Sequence, residues 1–453
     1  MAKTRKPLAI LMVTIPIAVF ITLQSQGIGV FSIASIFEPR KIQVSTDLVR
    51  TGLMMTQSAS NVYVAWSGSN GNQDIFFRAS NDGGKTFDPV VNLSDNLGRS
   101  VTRSMASKGS AAYVAWVDNT YGNSDVFFRR STDGGKTFDD TMNLSNSNGN
   151  SEFPAIDAEG PAVYVVWVDA TNGNDEILFR ASRDAAATFD DTMNLSNNIG
   201  NSESPTVMAV GSNVYVTWHD DSDGNFDVLF RASYDTGKTF TPTINLSNSS
   251  GNSGFAVLTA AGSNVYVAWI DDTLGRQDVF FRVSKDGGIT FEPAINLSNS
   301  KVKSTFPTMD ADGPLVCVGW IDESMEMVMF TSCSMEGSEF REPVRISSGK
   351  VLKSNTIHVE GIGVYATWVD TSTAINGMFL RASSNAGSSF APAVNIAVGK
   401  IEAASILVKG TNAYVLWSDK KCNDEECISV TVNAYFSRST DRGLTFETPI
   451  RLN

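Results

Sequence analysis

One unit governs what this chain can fold into. Asn213-Val214-Tyr215-Val216-Thr217-Trp218, an Asp- and Gly-rich turn, Val228-Leu229-Phe230-Arg231, and then Ser233-Tyr234-Asp235-Thr236-Gly237-Lys238-Thr239-Phe240 recur in eight versions. All eight tryptophans take the same place in it: Trp66, Trp116, Trp167, Trp218, Trp269, Trp320, Trp368 and Trp417, spaced 48 to 51 residues apart. Self-similarity at that period marks a repeat architecture, so the chain is read as an array before any single motif is weighed.

Each unit predicts four short strands. In the fourth they are residues 205–209, 214–218, 227–233 and 243–246, rich in β-branched and aromatic residues and separated by Gly, Asn, Asp and Ser. No segment sustains a helical period. Four-stranded units of this length, eight in number and without polar end caps, fit radial closure better than a linear stack, because closure protects the sheet edges. The expected fold is all-β: an eight-bladed β-propeller with four antiparallel strands per blade. Two segments compete to finish it. Phe37-Glu38-Pro39 with Ile42-Gln43-Val44-Ser45, and Thr445-Phe446 through Leu452, both read as a blade's last strand, and the sequence does not choose between them.

The N-terminus sets the compartment. Lys3-Thr4-Arg5-Lys6 precede an apolar run over residues 8–23, the layout of an export signal. No clear small-x-small cleavage site follows, and a second apolar run at 28–33 makes an uncleaved membrane tether the alternative. The division is therefore residues 1–36, signal peptide or anchor, and 37–453, the ring, at the outer cell surface or secreted. A net charge of -13 argues against a nucleic-acid partner, because the sequence offers none of the clustered Lys and Arg that would replace counterions along a phosphate backbone.

Export permits disulfides. Unit six has Cys317 where seven others place a Tyr three residues before the Trp, and Cys333 where the others begin their turn motif with Ser. In a hairpin centred near Met325 these face one another, which predicts a Cys317–Cys333 bridge. Cys422 and Cys427, in an insertion unique to the last unit, form a second expected staple.

The S-x-D-x-G-x-T-F stretch at Ser80–Phe87 returns at residues 131–138, 182–189, 233–240, 284–291 and 439–446, weakly at 383–390, and broken at 333–340. Here the chain resembles the Asp-box (BNR-repeat) propellers, the superfamily that includes sialidases and many non-enzymatic surface proteins. The resemblance implies a structural turn between third and fourth strands, on the face away from any catalytic centre. The residue types agree: Asp and Ser bond turn N–H groups, Gly takes positive φ and the aromatic plugs the core. An arginine follows the third strand in seven units (Arg78, Arg129, Arg180, Arg231, Arg282, Arg381, Arg438). A residue present in seven blades does not mark one central site, so these arginines are expected to pair between blades or cover an aromatic face.

Other motifs have plain readings beside chemical ones. Asp follows the Trp by two in seven units, and loops such as Asp220-Asp221-Ser222-Asp223-Gly224 resemble the opening of a calcium loop without its closing Glu; calcium is a minor alternative to no cofactor. Asn92-Leu93-Ser94 and its copies at Asn143, Asn194, Asn245 and Asn296 satisfy the glycosylation sequon, or simply end the fourth strand. His219 and His358 stand isolated.

Function is expected where repeats disagree. Fifteen residues before the Trp the units carry Thr51, Val101, Glu152, Glu203, Gly254, Thr305, Lys353 and Glu402. Glu152, Glu203, Lys353 and Glu402, with nearby Arg99 and Arg103, are therefore the expected ligand-binding rim of the channel. No catalytic or metal residue is assigned. The sialidase opening motif Arg-Ile-Pro is missing, and the known catalytic sialidases are built on six blades, not eight. The expectation is a glycan- or protein-binding module; a sialidase-type exo-glycosidase and a structural envelope protein are the alternatives.

Overall fold

A computed structural model describes residues 52–453 apart from 70–72, 324–327, 348–350, 371–375, 400 and 423–429. The N-terminal signal or anchor, the strand-like segment 37–45 and Cys427 lie outside the described residues, as does the Cys422 side chain. Among the described residues there is no helix; the strands form eight antiparallel sheets in the order first, second, third, fourth, and the sixth sheet adds a two-residue strand, Glu339–Phe340.

Alternation along the second strand builds the ring. Tyr and Trp lie an odd number of residues apart, so they face opposite sides of their sheet. The Tyr face of one blade packs on the Trp face of the next: Tyr113 and Ala115 meet Val163, Val165 and Trp167, and Tyr164 and Val166 meet Val214, Val216 and Trp218. The series closes on itself, since Tyr414 and Leu416 of blade eight pack on Val62, Val64 and Trp66 of blade one. Likewise the first strands touch in an unbroken circle from Met54–Ser58 to Ile401–Lys409 and back. Six tryptophans and six tyrosines are among the largest fully buried side chains, each contributing about 2–3 kcal/mol of burial.

The arginines act as seam clamps. Arg129 Nη1 reaches the Leu93 carbonyl of the preceding blade, and Arg180, Arg231 and Arg282 repeat this on Leu144, Leu195 and Leu246. Arg78 does the same to Leu452. That bond settles which terminal strand finishes blade eight: it is Ile450–Arg451, paired to the third strand of its own blade. In blades one to four and seven the guanidinium also covers the turn phenylalanine, at 5.8 to 6.0 Å from the ring centroid. Arg438 departs from the expected set. Ser437, not Arg438, pairs with Val415 where Arg78 pairs with Val64, so Arg438 lies one place on and forms an ion pair with Glu447.

Cys317 and Cys333 are directly opposite and bonded. The register corrects one detail of the sequence alignment. Ser334, not Cys333, pairs with Val316 as Ser80 pairs with Val62, so Cys333 occupies the Ala79 place and the turn after it is one residue short. The bridge thus replaces a Tyr–Ala cross-strand pair at the seam with Trp368.

Candidate functional site

First and third strands run one way and second and fourth the other, so every blade has two ends. At one lie the S-x-D-x-G-x-T-F turns. In each well-formed copy the Ser hydroxyl donates to the Asp, and Asp oxygens take the Thr N–H and hydroxyl; for Asp184 these are 2.7, 3.0 and 2.7 Å. Hydrogen bonds from Thr188 and then Ser182 hold the Asp184 carboxyl at about 2, and those from Ser439 and Thr445 hold Asp441 there too. The second turn Gly packs on the preceding blade: a Cβ at Gly135 would stand 2.9 Å from the Phe77 ring, with φ at +82°. These side chains are spent on structure.

The sequon asparagines are spent likewise. Nδ2 of Asn92, Asn143, Asn245 and Asn296 donates to Asp74, Asp125, Asp227 and Asp278 at 2.9 to 3.1 Å, and the Oδ1 atoms accept the backbone N–H three residues on. A glycosylated nitrogen would lose that bond. The chain made in a glycosylating host should therefore show no mass change at these four sites on treatment with a peptide N-glycosidase; a loss of about 1 kDa or more per site would show the blade ends opening to the transferase.

The other end carries the variation. All six expected rim residues fall there, at or just before the starts of first strands: Arg99 before Ser100–Lys108, Arg103 within it, Glu152 in Ser151–Glu159, Glu203 in Ser202–Val210, Lys353 in Val351–Glu360, Glu402 in Ile401–Lys409. The side chains of Arg103, Lys353 and Glu402 lie outside the described residues. Arg99 is exposed, its Nε donating to Gln73 at 2.7 Å and its N–H to Asn119. Glu152 and Glu203 are half-buried on adjacent blades.

Here the first strands are strained. Their register slips just after this position, and the residue in the slip has positive φ: Phe153 at 51°, Ser204 at 51°, Phe255 at 56°, Phe306 at 53°. The equivalent residue in blade one is a glycine, Gly52, at 53°. A left-handed non-glycine residue costs about 1–2 kcal/mol, and four stand at matching places in successive blades, each at a register slip.

Sequence reasoning missed His219. It is the cross-strand neighbour of Glu203, with Nε2 3.5 Å from the carboxylate and only 7% of the side chain exposed. Phe226 and Phe255 meet the imidazole edge-on at 5.1 and 5.4 Å. Its signal was available: the residue after Trp is Val or Ile in five units and His in one. The calcium alternative finds no cage. Among the described residues no three His, Cys, Asp or Glu side chains converge on a metal position; Asp220 accepts from Asn198, Ser202 and the Ser222 N–H, and Asp227 from Asn245 and Ser247.

No protein-family model matches this chain, and no curated protein does. Solved structures do. A Burkholderia pseudomallei lectin aligns with a TM-score of 0.51 at 12% identity, over 76% of this chain and 96% of the lectin. The polysaccharide lyase ulvanlyase, bound to -[GlcA(1-4)Rha3S]-, aligns at 0.50 and 10% identity, over 74% and 91%. The Hadza microbial sialidase Hz136 aligns at only 0.39 with 15% identity, and this chain spans 63% of its length. At these identities the likeness establishes the propeller fold and nothing finer.

Proposed function

We propose that this chain is an exported or cell-surface Asp-box propeller that binds a glycan or protein ligand at the loop-end mouth of its channel, without catalysing a reaction on it. The observation that carries this reading is the concentration of unlike residues and backbone strain at one end, with Glu203 braced by His219 between two phenylalanines. A lectin and a polysaccharide lyase among the fold's neighbours make a glycan the favoured ligand class. Two half-buried carboxylates and an aromatic surface suit hydroxyl groups and apolar sugar faces. The N-terminal apolar run supports export and a membrane tether.

A glycan array probed with the full chain, beside fluorogenic sialosides and other glycosides, tests the proposal. Binding without turnover is expected, weakened about tenfold or more by Glu203→Gln, which removes one charged acceptor. Turnover abolished by that substitution would replace the reading with a glycosidase; no glycan bound would leave a protein ligand or an envelope role.

A further inference from the structure

We propose that blade four holds a separate pocket for one uncharged sugar ring, at the loop end but outside the channel mouth. It rests on the glycan-binding reading for the class of ligand alone; the pocket itself is read from geometry.

A cavity of about 190 Å³ in blade four is lined by Trp218 of the second strand, Asp227 and Leu229 of the third, Ser222 and Asp223 of the loop between them, and Thr243. By the liquid share of roughly 30 Å³ per water it has room for about six waters, the bulk of a single pyranose. It exists because blade four departs from its neighbours at three places at once. The residue opposite Trp is aromatic in six blades, stacking on it at 5.6 to 6.3 Å: Phe76, Phe127, Phe280, Phe330, Phe379 and Tyr435. In blade four it is Leu229. The residue five beyond the Trp is Tyr121 in blade two, lying 6.0 Å from Phe127, and Leu274 in blade five. In blade four it is Asp223, exposed to solvent. The residue four beyond is a threonine in blades two, three and five, its hydroxyl bonded to Asp118 or to the N–H of Gly149 or Gly251. Blade four has Ser222, whose hydroxyl is buried and makes no hydrogen bond. Blade three shares a leucine, Leu178, but keeps the bonded threonine and has Asn172 in place of the acid.

The lining states what it would accept. Trp218 is 1% exposed and its Nε1–H has no acceptor. The same donor is unpaired in five other blades, four of which lay a phenylalanine over the indole; in blade four a leucine takes that place and Trp218 lines the cavity. A ligand must therefore bring an oxygen lone pair to the indole, a partner for the Ser222 hydroxyl and a donor for Asp223, beside the apolar surface of Trp218 and Leu229. A polyol ring has all four properties. Anionic sugars are excluded by Asp220, Asp223 and Asp227, and among the described residues no three His, Cys, Asp or Glu side chains converge to hold a metal ion.

Indole N–H resonances of the full chain, with that of Trp218 assigned through Trp218→Phe, provide the readout. Methyl glycosides of glucose, galactose, mannose, fucose and N-acetylglucosamine are the probes. At least one should shift the Trp218 signal. Leu229→Phe, which restores the stack used by six other blades, should abolish that shift while leaving the remaining indoles and the melting temperature in place, and Asp223→Asn should weaken it about tenfold. A panel that moves no Trp218 signal, or a shift that survives Leu229→Phe, overturns the pocket. If the chain still binds an array glycan in a Glu203-dependent way, the channel-mouth reading stands without it.

Discussion

Removing residues 446–453 should abolish the cooperative unfolding of the ring. Among the described residues no strand is exchanged between the ends of the ring: the strands of blade one run from Met54 and those of blade eight to Arg451, each set in sequence order. The last seam is therefore held by the same non-covalent set as the other seven. Leu452 is 2% exposed and belongs to the cluster containing Trp66, Val62 and Leu416; Ile450 packs on the same cluster, and Phe446 on that of Leu380 and Trp417. Their burial contributes about 2 kcal/mol each. Truncation also leaves the Ala434 N–H without Asn453, Ser437 without the Glu447 carbonyl and Arg78 without Leu452. The sum approaches the whole 5–15 kcal/mol by which folded domains of ordinary size are stable. Calorimetry on the truncated chain should show a broad or absent transition. A sharp one within about 3 °C of the full chain would mean that something else completes blade eight, and Ile42-Gln43-Val44-Ser45, the other copy of that strand, is the first place to look.

The fold was legible because its determinants are periodic. Tyr and Trp three apart dictate two-sided burial, and the box residues form their turns from local hydrogen bonds alone, so no distant contact is needed to read them. Register was less legible. Cys333 was placed one residue late because the turn after the third strand of blade six is one residue short, and Arg438 was grouped with the other arginines although it stands one place before its Ser and not two; the ladder shows both. The places where the repeats disagree were legible in one dimension, and all of them lie at or near the starts of first strands. Their chemistry was not. Glu203 matters through His219, its cross-strand neighbour sixteen residues on, and through Phe255 of the next blade. The blade-four cavity arises from three substitutions that are unremarkable singly: a Leu for a Phe, a Ser for a Thr, an Asp for a Tyr or Leu.

His358 should make the ring less stable as pH rises past neutrality. Its Nδ1 lies 3.0 Å from Asp310 on blade six and its Nε2 2.9 Å from the Val408 carbonyl on blade eight. Both partners are acceptors, so both bonds form only when the imidazole carries two protons. Asp310 also accepts the Val359 N–H, Glu360 lies two residues along the same strand, and Tyr365 is the cross-strand neighbour. Burial alone would lower the histidine's pKa, but Asp310, the Val408 carbonyl and Glu360 together outweigh it, and the result is raised above 6.5. A group whose pKa is higher folded than unfolded contributes fully below the unfolded value, about 6.5 for histidine, and loses that contribution as pH climbs through the folded value. The wild-type melting temperature should thus fall from pH 6.5 upward. Asp157 works in a lower window. Burial pushes its carboxyl up to about 6 despite N–H bonds from Ala209 and Ala158, so its contribution declines between the ordinary carboxylate range and pH 6 and is flat above. The two are separable by substitution. His358→Gln, which offers one donor where two are needed, should cost about 2 kcal/mol at pH 5.5 and much less at pH 9, flattening the upper limb of the profile while leaving the lower one intact; Asp157→Asn should do the reverse. An upper limb unchanged in His358→Gln would show that the proton bridging blades six, seven and eight does not hold them together.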